Sequence, residues 1–99
     1  MPLSEERIYR IHGGGAKPNG VFWTPIDPRT LERPRNALGL PPANSGELMT
    51  VGELIDPTGV EARPALPFED SAGGALEYVV PNPLKQVHVI EIVRMDPPV

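Results

Sequence analysis

The chain has 99 residues, no cysteine and a net charge of −4, which describes one small domain with no disulfide and no thiolate metal site. Its 14 prolines and 10 glycines, set against a hydrophobic share of 39%, point to an α+β domain, mostly β, with short strands, one short helix and long loops. Residues 1–36 hold six basic and four acidic side chains and residues 37–99 three and nine, so the acidic bulk argues against a generic nucleic-acid grip while the basic first third can hold a compact anion.

No apolar run approaches membrane-spanning length, and the opening MPLSEER carries no signal-peptide apolar segment. Membrane insertion by this domain is not expected, and any export signal is expected on a larger parent chain. The 99 residues are read as a single domain.

Glu6 to His12 has strand character, with Ile8, Arg10 and His12 on one face and Arg7, Tyr9 and Ile11 on the other. An arginine and a histidine beside Ile8 suit a strand that looks into a polar cleft. Gly13 to Gly15 then permit a turn and close backbone approach, without the GK[ST] ending of a phosphate-binding loop. Asn19-Gly20 is the strongest turn signal of the region, and Val21 to Thr24 forms a very short strand ended by Pro25. Asp27 and Pro28 read as the cap and first position of a helix over residues 29–38, which Pro34 must bend or interrupt.

Gly39 to Gly46 reads as a loop, Leu48 to Ile55 as a strand with a possible bulge at Gly52, and Val60 to Arg63 as a short extended piece after a turn at Asp56–Gly59. Pro64 to Gly74 is loop again. Ala75 to Val80 is a strand with Leu76, Tyr78 and Val80 on one face and Glu77 and Val79 on the other, stopped by Pro81 and Pro83. Lys85 to Met95 is the longest strand, apolar on both faces near its middle, a pattern expected of a central strand.

Two constellations carry chemistry. Arg10 and Glu77 each sit on a strand beside glycines. A carboxylate stabilises the oxocarbenium-like state formed when an N-glycosidic bond breaks. An arginine holds phosphate, and Phe22 or Trp23 can stack on a nicotinamide or adenine ring. The same two residues equally fit a structural ion pair. The second constellation is His12 and His88 with Lys85 nearby, which could cleave RNA by acid–base chemistry without metal, although His88 shares a strand face with Ile90 and Ile92 and equally fits a packed histidine. Two histidines without cysteine make a poor metal site, so no metal is expected.

The order YR-x-HGG, NG-x-FWTP, LGLPP and GG-x-LEY, followed by a long terminal strand, resembles the C-terminal toxin domains of bacterial polymorphic toxins of Rhs and related types. It also resembles the tuberculosis necrotizing toxin family of NAD glycohydrolases, which are akin to ADP-ribosyltransferases. The resemblance covers roughly residues 8–95 and implies a minimal ADP-ribosyltransferase-like split β-sheet core with NAD+ as substrate. It implies that Arg10 holds the nucleotide, that Thr24 braces the cleft, that His12, Gly13, Phe22 and Trp23 line it, and that Glu77 is the catalytic carboxylate. In the necrotizing-toxin enzymes the last position is typically glutamine; the glutamate here implies transfer of ADP-ribose to a macromolecule, protein or RNA. Ala75 stands where arginine-specific transferases carry the first residue of a Glu-x-Glu pair, so the pattern does not imply an arginine acceptor.

The expected activity is therefore mono-ADP-ribosyl transfer. NAD+ hydrolysis in the same cleft is the first alternative, a ribonuclease using His12 and His88 the second, and a non-catalytic binding module the last. The resemblance further implies a cognate immunity protein, and delivery from a bacterial cell into a target-cell cytoplasm as part of a larger secreted toxin.

Overall fold

The computed structural model describes residues 6–99. The signal-segment reading of the first five residues lies outside them. Among the described residues six strands form two antiparallel three-stranded sheets, and the helical content is short turns, so the fold is mostly β with long loops. No helix among them is long and apolar enough to cross a membrane.

The first sheet has β1 (Glu6–Gly14), β3 (Asn44–Leu54) and β6 (Val87–Arg94) in the order β1-β3-β6. The second has β2 (Phe22–Trp23), β5 (Leu76–Val79) and β4 (Glu61–Pro64) in the order β2-β5-β4. The sheets meet where Tyr9 and Thr24 exchange two backbone hydrogen bonds, each 2.8 Å. This contact places β2 along the free edge of β1, so the second sheet stands beside the first.

The alternation of β1 sorts two apolar clusters onto the two faces of the first sheet. Ile8 joins Trp23, Leu54, Val80 and Val87 on one face; Ile11 joins Met49 and Val51 on the other, covered by Leu38, Leu40 and Val99 among others. Each cluster takes residues from far-apart segments, which is how a chain this short builds a core around its loops.

Five expectations need correction. The helix over 29–38 divides into a 3-10 turn, Pro28–Thr30, and a single α turn, α1 (Pro34–Ala37). Asp27 caps the first by accepting from the Arg29 amide, as its type predicts. Of the two outcomes expected at Pro34 the structure shows interruption: Pro34 starts the second turn, because its missing N–H costs nothing at the first helical position. A further α turn, α2 (Pro83–Gln86), occupies the start of the expected terminal strand for the same reason.

The loop over 39–46 gives way to β3 at Asn44. The buried Asn44 amide donates to the Ile11 carbonyl and its oxygen accepts from the Gly46 amide, so a side chain extends the ladder. The bulge opposite Gly52 belongs to the partner strand: Val51 faces Glu91 and Gly52 faces Val89, leaving Ile90 as the extra residue on β6.

The strand expected at the centre of a sheet lies at its edge. β6 pairs only with β3, and Val89 and Ile92 are exposed. β3 takes the centre, with Met49, Thr50, Val51 and Gly52 buried in succession. An apolar run is compatible with a central position without requiring it, and the register with β1 decides which strand has neighbours on both sides.

Candidate active site

The cavity lies at the junction of the two sheets and has a volume of about 380 Å³, within the range of small-molecule sites. Tyr9, Arg10 and Ile11 of β1 form its floor and Phe22, Trp23 and Thr24 one side. Arg63 and Glu77, from β4 and β5 of the same sheet as Phe22 and Trp23, also line it, as do Leu38–Pro41 and Leu66–Phe68 of two loops. The loops are tied together by main-chain bonds: the Gly73 and Ala75 amides donate to the carbonyls of Asn36 and Ala37 in α1. The wall is mostly apolar, and its charged side chains are Arg10, Arg63 and Glu77.

Arg10, Phe22, Trp23, Thr24 and Glu77 are thus gathered around one space. Each is held differently. Arg10 donates from Nε to the Lys17 carbonyl at 2.9 Å and from Nη1 to the Phe22 carbonyl at 3.1 Å, while Gly20 lies so close to Nη2 that any Cβ there would collide with it. The guanidinium therefore pins the 17–22 turn, and burial lowers its pKa from the ordinary arginine value.

Thr24 is buried. Its hydroxyl donates to the Leu76 carbonyl at 2.8 Å and accepts from the Ile26 amide at 3.1 Å, joining the end of β2 to the residue before Glu77. The two aromatic candidates divide their work. Trp23 is 3% exposed, packs in the Ile8 cluster and donates from Nε1 to the Gly20 carbonyl, whereas Phe22 is 47% exposed and offers its ring to the cavity.

Glu77 has a side chain only 13% exposed and accepts from Arg63 Nε at 3.2 Å. Burial raises its pKa above the ordinary carboxylate value, and the Arg63 hydrogen bond and charge pull the other way. Arg63 also places its guanidinium 5.6 Å from the centroid of the Phe22 ring, within cation–π range. Arg63 was missed in the sequence. The available signal was its isolation: it is the only basic residue between Arg35 and Lys85, on a strand just before the glutamate strand.

His12 and Gly13 do not line the cavity. The His12 ring is buried, with Nε2 at 2.8 Å from Thr50 Oγ1 on the neighbouring strand. It shares the Arg10 side of β1, but β3 rather than the second sheet takes it up. Gly13 packs onto Ser45, whose hydroxyl occupies the space a Cβ would need, and its φ of +126° suits glycine alone. Both serve the junction of β1 with β3.

The two histidines are not brought together. His12 faces Leu48 and His88 faces Glu53, five residues apart along β3, about 17 Å at strand spacing. His88 is exposed on the edge strand, so the arrangement needed for histidine acid–base cleavage of RNA is not assembled.

The site therefore combines a largely buried carboxylate, two arginines and an exposed phenyl ring in one apolar cavity. Chemically it can hold an anionic ligand with a planar ring and stabilise positive charge on a sugar. No protein-family model matches the chain, nor does any curated protein or solved structure.

Proposed function

We propose that this domain breaks the nicotinamide–ribose bond of NAD+ in the cavity and transfers the ADP-ribose to a macromolecular acceptor, acting as a toxin in a target cell. The observation that carries the reading is that Glu77 faces the same cavity as Arg10, Thr24 and Phe22, although three separate chain segments supply them.

Phe22 stacks on the nicotinamide. The Glu77 carboxylate lies beside the ribose and stabilises the oxocarbenium-like state as the C1′–N bond breaks and its electron pair leaves with nicotinamide. In an apolar cavity this stabilisation is stronger than in water. An acceptor nucleophile then bonds to C1′ and gives up its proton. Thr24 and Arg10 hold the walls in register. An immunity protein covering the cavity and delivery by a larger parent chain belong to the same reading.

One observation favours hydrolysis as the second reading. Glu77 has a side chain only 13% exposed, and a sugar held against so buried a carboxylate is reached by water more readily than by a macromolecular acceptor.

Incubation with NAD+ labelled in its adenylate half, in the presence of cell lysate, tests both. Label on protein or RNA with nicotinamide released, the label being lost by orders of magnitude in Glu77→Gln, is the expected result. Nicotinamide release without macromolecular label replaces transfer by hydrolysis. Absence of nicotinamide release from the folded wild-type domain overturns the reading.

A further inference from the structure

We propose that Arg63 is the phosphate-binding residue of this cavity, and that its ion pair with Glu77 is the resting arrangement that the pyrophosphate of a dinucleotide displaces. The inference rests on the cavity being an NAD+ site.

Three observations carry it. First, the two arginines of the cavity are not equally available. Arg10 has Nε and Nη1 on the carbonyls of Lys17 and Phe22, and Nη2 against Gly20. Gripping a phosphate with Arg10 would dismantle the turn that carries Phe22. Arg63 makes a single hydrogen bond, from Nε to Glu77, and among the described residues its Nη1 and Nη2 have no partner. A guanidinium with two free nitrogens on one edge has the fork that matches two phosphate oxygens.

Second, Arg63 is reachable. Its side chain is 29% exposed against 13% for Glu77, so of the pair the arginine lies nearer solvent.

Third, the charges balance in favour of an anion. Two arginines and one glutamate line the cavity, a local excess of positive charge in a chain of net charge −4. When Arg63 turns to phosphate, Glu77 loses its partner and becomes free for the ribose. Phosphate binding would thus release the carboxylate only when the correct ligand is present. Arg63 and Glu77 are also direct cross-strand partners on β4 and β5, so a purely structural pair is the competing account.

Calorimetric titration of the folded domain separates the two accounts. The ligands are ADP-ribose, which carries the pyrophosphate, and nicotinamide riboside, which carries none; the proteins are wild type, Arg63→Gln and Arg63→Lys, with thermal melts as the folding control. The expected result is at least tenfold weaker ADP-ribose binding by Arg63→Gln, a smaller loss in Arg63→Lys, and nicotinamide riboside binding no weaker than wild type in Arg63→Gln, where Glu77 is already free. The carbon-13 signal of the Glu77 carboxyl moves on addition of ADP-ribose to wild type and is already displaced in Arg63→Gln. Unchanged ADP-ribose binding in Arg63→Gln, or equal loss for both ligands, overturns the assignment while leaving the NAD+ reading intact. A wild-type domain that binds neither ligand overturns both.

Discussion

The Thr24 hydroxyl donates to the carbonyl of Leu76 at 2.8 Å and so ties β2 to the residue that precedes Glu77. The same oxygen accepts from the Ile26 amide, and the residue is 3% exposed. Thr24→Val keeps the shape and leaves a carbonyl and an amide without their partner, at a cost of about 1–3 kcal/mol. Thr24→Ser retains both bonds. Urea unfolding should rank wild type and Thr24→Ser together above Thr24→Val, and NAD+ turnover should follow the same order. Equal stability of the valine and serine variants would remove the hydroxyl from the account.

Trp23 and Phe22 are neighbours with opposite roles, and their alanine variants should separate stability from activity. Trp23→Ala empties the centre of the Ile8 cluster, at about 3–5 kcal/mol. That is a large fraction of the roughly 5–15 kcal/mol that holds a domain together. Phe22→Ala removes a ring that is 47% exposed and should cost about 1 kcal/mol while raising KM for NAD+. Thermal melts and initial rates on the two variants decide the matter; a Phe22→Ala protein with wild-type kinetics removes the stacking role.

His12 makes the fold acid-sensitive. Burial, and then the charge of Arg10, lower its pKa from the ordinary value of 6.5. Below that value the unfolded chain takes up a proton that the folded chain refuses, so stability is full above it and falls as pH drops towards the lowered folded value. Urea unfolding at pH 7.5 and 5.5 should show this loss in wild type and a smaller one in His12→Gln. Parallel pH dependence in the two proteins would place the acid sensitivity elsewhere.

Tyr78 gives a second titration at the alkaline end. Burial, together with the hydrogen bond and charge of Glu6, pushes its hydroxyl up to about 12; the hydroxyl donates to both carboxylate oxygens, at 2.9 and 2.8 Å. The folded state disfavours tyrosinate, so stability is lost as pH rises from the ordinary value of 10.0 towards the raised one. Ultraviolet titration should show one tyrosine ionising late, and Glu6→Gln should bring it earlier. The contact joins the start of β1 to β5, so the same variant should lower the melting temperature slightly.

Under the proposed reaction, Glu77 sets the acid limb of activity. Burial raises its pKa and Arg63 opposes the rise, and the carboxylate must be ionised to stabilise the sugar cation. The kcat/KM for NAD+, which reports the free enzyme, should therefore fall with decreasing pH at a value above the ordinary 4.5, and that limb should move higher still in Arg63→Gln. A limb that stays in place in that variant means Arg63 does not act on Glu77 in solution.

Local chemistry made several elements legible from the sequence. The alternation around Arg10 marked β1, the alternation around Glu77 marked β5, and Asp27-Pro28 marked a capped turn, because each depends on residues within a few positions of one another. The gathering of Arg10, Thr24, Phe22 and Glu77 on one cavity was also expected, from the order of short motifs. Tertiary structure decided what local patterns leave open. Apolar residues on both faces of residues 87–94 are compatible with either a central or an edge strand, and pairing of β3 with β1 made β6 the edge. His12 and Arg10 share a face of β1, yet Thr50 on β3 takes one and the turn at Gly20 takes the other. Arg63 lines the cavity because β4 pairs with β5 in a register that sets it opposite Glu77. A side chain's face is written in its neighbours along the chain; its partner is set by which strand lies beside it, and that depends on the packing of the whole domain.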